Sequence, residues 1–162
     1  MVRVNSLKKG RRFERFVAKL LSKTFKIPFH RVPASGAFST TNQINDPRFK
    51  GDVFTENKKW NKIFNVVIEC KTTRELSRVD WSSKYWYFDL WFNKKVKKWL
   101  EQCYKEARGR NFWLFVKQDY KPIIIIEGLW DDKIKEHFTS EPMRHNHFLK
   151  IKQRIWKEKR MG

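Results

Sequence analysis

Glu69 and Lys71 stand one residue apart near the end of FNVVIECKTT, just after the aliphatic run Val66, Val67 and Ile68. In a strand, residues two apart project to the same side, so a carboxylate and an ammonium share one face while Ile68 and Cys70 occupy the other. Taken alone, Glu-x-Lys is more often a solvated ion pair closing a strand. Asp52 changes that weighing. It follows Gly51 in KGDVF, a short strand that can pair with the Glu69 strand as a hairpin through the polar turn from Glu56 to Lys62. If the register sets Asp52 opposite Glu69, two carboxylates converge, and they repel unless a cation lies between them. Such a hard, oxygen-rich site with few protein ligands suits Mg²⁺, with Mn²⁺ as a substitute, the remaining positions going to waters and phosphate oxygens. The expected chemistry is phosphodiester hydrolysis, with Lys71 orienting the attacking water or stabilising negative charge as it develops. A register slip of one residue would turn Asp52 to the opposite face and dissolve the site.

A phosphodiester substrate agrees with the charge. The 162 residues carry 37 Lys and Arg against 17 Asp and Glu, a net charge of +20 that a polyanion would neutralise. An anionic membrane surface is the competing polyanion. No apolar run approaches the ~18 residues of a spanning helix, and MVRVNSLKKG lacks a signal peptide's apolar segment. The expectation is a cytoplasmic protein with no membrane partner, in the host cytoplasm if virus-encoded. Two cysteines, Cys70 and Cys103, support neither a disulfide framework nor a zinc site, and His145 with His147 lack companion ligands.

Around the charged pair, the elements read as an α/β domain with a mixed central sheet flanked by helices. Phe13, Phe16, Val17, Leu20 and Leu21 follow helical spacing from about Ser6 to Phe25, with Glu14 at the edge of the apolar stripe and a basic outer face. PFHRV and KGDVF read as short strands around the Pro-, Ser- and Asn-rich loop PASGAFSTTNQINDPRF, and TENKKWNK reads as a polar turn into the strand Phe64 to Thr72. Val96, Trp99, Leu100, Cys103, Tyr104 and Ala107 mark a second helix from about Asn93, ended by Gly109. FWLFV and PIIIIEG are two further strands joined by the turn KQDYK. One domain spans 1–162, with a core over about 6–128 and a basic C-terminal extension over about 129–162.

KKGRRFERFVAKLL with its Glu14, RVPASG, KGDV and VVIECKT, in that order, resemble the PD-(D/E)xK nuclease superfamily, and within it the archaeal-type Holliday junction resolvases. The resemblance covers Lys8 to Thr73 well and the strand–helix–strand order to Gly128 in outline. It implies a restriction-endonuclease-like core. It implies a metal site of Asp52, Glu69 and the Cys70 backbone carbonyl, with Glu14 completing the site, directly or through a water. Lys71 matches the catalytic lysine, and Ser35 the loop serine near the scissile phosphate. Members act as homodimers on branched double-stranded DNA, cutting opposing strands of a four-way junction and so serving DNA recombination and repair. Phosphate contacts are expected from Lys8, Lys9, Arg11, Arg12, Arg15, Arg31, Ser35 and Lys50.

Departures from that pattern are Gly51 where proline usually precedes the metal-binding aspartate, a longer loop over Ala37 to Phe49, and the aromatic segment Arg74 to Trp91. Asp46, before Pro47, reads as a turn residue. The aromatics between Trp81 and Trp99 read mainly as packing, with Trp81, Tyr85 and Trp86 as candidates for stacking on bases.

Overall fold

Phe13, Val17, Leu21 and Phe25 recur every four residues and are all buried, which sets one face of α1 (Val2–Phe25) against the sheet. The computed structural model describes residues 2–33, 51–131, 136–139 and 141–161. Lys26, at φ 56°, closes α1 in the left-handed conformation. The chain then forms β1 (His30–Arg31), which pairs antiparallel with β2 (Val53–Phe54).

The segment read as a polar turn holds a helix, α2 (Lys58–Phe64). Asn57 caps it, its side chain accepting the Trp60 N–H at 2.9 Å, and Trp60 and Phe64 bury one face four residues apart. Asn65, at φ 45°, ends the helix, so Phe64 belongs to it, and the buried strand β3 runs Val66–Thr73. β2 and β3 pair antiparallel with Val53 opposite Ile68.

After α3 (Trp86–Trp91) comes α4 (Lys94–Ala107), whose N-cap Asn93 accepts the N–H groups of Lys95 and Val96. Arg108 (φ 50°) and Gly109 (φ 83°) turn the chain out of α4 into β4 (Asn111–Gln118), which lies parallel to β3 along its whole length. β5 (Ile124–Asp131) returns antiparallel, and its far edge is shared by β6 (Glu136–Thr139) and β7 (Met143–Arg144). The sheet order is β1-β2-β3-β4-β5-β6, with β7 also on β5. This is the expected α/β fold with a mixed sheet.

Alternation along β3 and β4 divides the core in two. Val66, Ile68, Cys70, Trp113 and Phe115 face α1, α2 and the final helix α5 (His145–Arg160); Val67, Phe112, Leu114 and Val116 face α4. The expected basic extension is therefore core structure in part. Phe148, Leu149 and Trp156 of α5 are buried with α1 and α2, the Trp156 indole donates to the Phe25 carbonyl at 3.1 Å, and Lys152 pairs with Glu127 at 2.6 Å. Cys70 and Cys103 are free and buried. Among the described residues no helix is long and apolar enough to cross a membrane.

Candidate active site

Odd-numbered residues of β3 face α4, so Glu69 and Lys71 leave the sheet beneath that helix. Glu69 lies beside Leu114 of β4 and is 3% exposed. Burial, then the charges of Asp52 and Glu106, hold its carboxyl well above the usual carboxylate range. Its Oε1 finds no hydrogen-bond donor among the described residues. The carboxyls of Glu106 and Asp52 lie within hydrogen-bonding reach, and two carboxyls can bond each other only by sharing a proton.

Asp52 reaches this place from the end of β2. Gly51 turns there at φ 83°, a conformation open to glycine, and packs so closely on β3 that an added Cβ would lie 2.5 Å from the Ile68 carbonyl oxygen. The Asp52 N–H donates to that carbonyl, the Asp52 carbonyl accepts the Val32 N–H, and Asp52 Oδ2 accepts the Cys70 N–H, each at 2.8 Å. The aspartate is thus bonded to the residue between Glu69 and Lys71.

Glu14 approaches from α1, on the other side of the sheet. Its carboxylate is bound at 2.6 Å by Nε of Arg31, yet its pKa is raised, first by burial and then by the charge of Asp52, against the lowering effect of Arg31 and Arg11. Asp52 is the charge that Glu14 and Glu69 both sense. The buried thiol of Cys70 is pushed up by burial and by Asp52, Glu69 and Glu14 together, which places that residue among all three carboxylates.

Lys71 is partly exposed and donates to Gln102 Oε1 on α4 at 2.9 Å; Gln102 Nε2 in turn donates to Glu106 Oε1 at 3.0 Å. Two residues on β3 two apart meet two residues on α4 four apart, so sheet and helix present matched pairs on facing surfaces. Gln102 and Glu106 were missed in the sequence because they read as polar residues beside the apolar stripe of an amphipathic helix. Their four-residue spacing in line with Lys94 and Lys98 was the available signal.

The resulting arrangement joins a carboxylate pair, a lysine two residues beyond the second carboxylate, and an acid on the first helix. A model of the family described as "Phage putative PDDEXK endonuclease" matches residues 5–160. The chain belongs to this family. It is a nuclease of the PD-(D/E)xK superfamily, and the match takes in α5 as well as the core before it. No curated protein and no solved structure matches the chain.

In this PDDEXK nuclease Asp52 and Glu69 are the side chains close enough together to contribute to a metal site. Among the described residues no group of three or more His, Cys, Asp or Glu could hold a metal by side chains alone. A buried carboxylate oxygen without a donor, crowded by a second carboxylate, nevertheless fits a hard cation that completes its shell with waters and phosphate oxygens. Of the residues expected to contact phosphate, Lys8, Arg11, Arg12 and Arg15 are exposed on α1. Lys9 is ion-paired with Asp119, and Arg31 is engaged by Glu14. Ser35, Asp46 and Lys50 lie outside the described residues. Trp81 and Trp86 stack on each other at 5.7 Å and pack against the α4-side core, while Tyr85, Phe88 and Phe92 are the exposed rings of this region.

Proposed function

We propose that this nuclease is a Mg²⁺-dependent, structure-selective DNA endonuclease, and that its substrate is branched double-stranded DNA, four-way junctions foremost, cut by a homodimer in the manner of a Holliday junction resolvase. The observation that carries the catalytic reading is the hydrogen bond from the Cys70 N–H to Asp52, which brings Asp52 to the strand that bears buried Glu69 and Lys71. The order of Glu14, Asp52, Glu69 and Lys71 supports the resolvase reading, and the net charge of +20 supports shape recognition through phosphate contacts.

Asp52, Glu69 and the Cys70 carbonyl would hold Mg²⁺, which would supply Lewis-acid chemistry to the scissile phosphate and the attacking water. The chain's own residues do the rest. Gln102 holds the Lys71 ammonium where it can orient the attacking water and meet negative charge as it builds on the phosphate. Arg31 holds Glu14 where it senses the charge of Asp52, and burial keeps bulk water from Glu69.

Cleavage of a synthetic four-way junction, a splayed fork and a linear duplex in Mg²⁺ tests the reading. Wild type should cut the junction fastest, and Asp52→Ala and Glu69→Ala should cut none of the three. Unchanged cutting by either variant would remove the site assignment, and equal rates on junction and duplex would remove the resolvase reading. Binding of all three DNAs with cutting of none would instead favour a non-catalytic nucleic-acid-binding module.

A further inference from the structure

Lys94, Lys98 and Gln102 recur every four residues on α4, so they lie along one line of the helix surface. That line ends at the active site, where Gln102 accepts the hydrogen bond of Lys71. Lys71, Lys94, Lys95, Lys98, Trp99 and Gln102 wall one groove. Lys94 and Lys95 also wall a second, which continues past Arg78 to Phe92. The shared lysines make the two a single cationic path, about 12 Å long between Gln102 and Lys94 at the rise of an α-helix. Glu75 and Asp89 are the carboxylates that line the second groove, and Asp89 Oδ2 already accepts the Asp80 N–H at 3.0 Å. At the far end Phe92 is 73% exposed, with Lys97 Nζ 5.7 Å from its ring centroid.

A duplex keeps its bases stacked inside and offers such a groove phosphates, for which lysines suffice. An exposed ring lining a cationic groove, with a lysine ammonium near it, matches a different ligand, an unpaired base whose face can stack on it. The α4 N-terminus plays no part, because the Asn93 side chain already occupies its Lys95 and Val96 N–H groups.

We propose that this groove holds an unpaired DNA strand running from Lys71 to Phe92, so that a branched substrate, a four-way junction opened at its branch point or a splayed fork, is engaged with one strand unpaired beside the scissile phosphate. The proposal rests on the nuclease reading of the Lys71 site, and it assigns DNA contacts to α4 in addition to those expected on α1.

The test uses the full chain in EDTA with a fluorescent oligothymidylate and a blunt duplex as probes. Phe92→Ala should weaken oligothymidylate binding by between about 5-fold and 150-fold, the range of one base stack, and leave duplex binding within about twofold. Phe92→Trp should restore it. Lys94→Ala with Lys98→Ala should lower the log–log salt slope for the single strand by about 1.4, the release expected from two phosphate contacts. Oligothymidylate binding indifferent to Phe92→Ala would overturn the proposal. So would an equal loss on the duplex, or sedimentation showing that Phe92→Ala turns a dimer into a monomer, since the ring would then belong to a subunit contact. Cleavage of the splayed fork in Mg²⁺ separates the two readings. Loss of the groove effect with cleavage intact removes the groove alone; the groove effect with no cleavage of any DNA removes the nuclease mechanism and leaves the strand site.

Discussion

Asp52 Oδ2 accepts the Cys70 N–H at 2.8 Å, while the Asp52 N–H donates to Ile68, two residues earlier on the same strand. The carboxylate is therefore positioned against β3 by main-chain atoms. Its distance from Glu69 and Lys71 follows from backbone geometry, which a change of neighbouring rotamer does not disturb.

Gly51 is what permits this. A Cβ there would meet the Ile68 carbonyl at 2.5 Å and Val67 Cγ1 at 2.9 Å, on a backbone at φ 83°. Gly51→Ala should cost about 1–3 kcal/mol of stability and push Asp52 away from β3. Cleavage per folded molecule, normalised by circular dichroism, should fall well beyond the loss of folded protein. Gly10→Ala, with nothing within 4 Å of its Cβ and a position inside α1, should stabilise by about 0.5–1 kcal/mol with normal cleavage. Wild-type melting and cleavage in Gly51→Ala would contradict the account.

Glu69 should make stability depend on pH and metal together. Its folded pKa is raised from an ordinary 4.5, so between those two values the folded state binds more protons than the unfolded chain and stability falls as pH rises. Glu14, raised in the same sense, adds to the fall. Above the pH at which Glu69 ionises in the fold, metal-free protein should gain about 1–3 kcal/mol from Glu69→Gln, which removes a buried charge lacking a donor, and the variant's stability should decline less with pH. The same variant should not cut DNA. Mg²⁺ should raise the wild-type melting temperature at neutral pH and leave that of Glu69→Gln unchanged; an equal response in both would show that the ion binds elsewhere.

Lys71 and Gln102 should separate turnover from binding. Lys71→Ala is expected to lower kcat by roughly 10²–10³ with junction affinity nearly unchanged, because its charge matters most in the transition state. Gln102→Leu, which removes only the group holding that ammonium, should lower kcat by about 3–10-fold at constant KM. Steady-state cleavage and gel-shift titration of each variant supply the two numbers. Affinity that falls in step with kcat in Lys71→Ala would reduce the lysine to a phosphate contact.

Trp156 tests whether α5 belongs to the core. Trp156→Ala removes a buried indole and its bond to the Phe25 carbonyl, so unfolding by urea should show a loss of about 3–5 kcal/mol. Lys157→Ala, exposed on the same helix, should change stability by no more than about 0.5 kcal/mol. A small effect at both positions would return the segment to the role of an appended tail.

The parts legible in sequence were those with strong local patterns. The aliphatic run of β3, the apolar stripes of α1 and α4 and the runs of β4 and β5 each carry their own period. α2 has two core residues, Trp60 and Phe64, within one turn of polar ones, too few for a period, and only the Asn57 cap betrays it. α5 hides its apolar residues among lysines and arginines, one of which, Lys152, is paired against Glu127 in the fold. Within the site, Glu69 and Lys71 were legible because alternation fixes their common face. The placement of Asp52 was not, since β2 is two residues long and its alignment rests on Gly51 and the Cys70 amide, contacts remote in sequence. Gln102 and Glu106 became visible only when α4 was laid across β3.

Glu69, Lys71, Gln102 and Glu106 come from one continuous β3–α4 unit, whereas Glu14 and Asp52 arrive from segments that precede it in the chain. Neither portion alone carries the full set of reacting groups. A chain in which α1 and β2 have come away from the β3–α4 unit therefore lacks the complete set, so the proposed centre depends on tertiary structure rather than on any one segment.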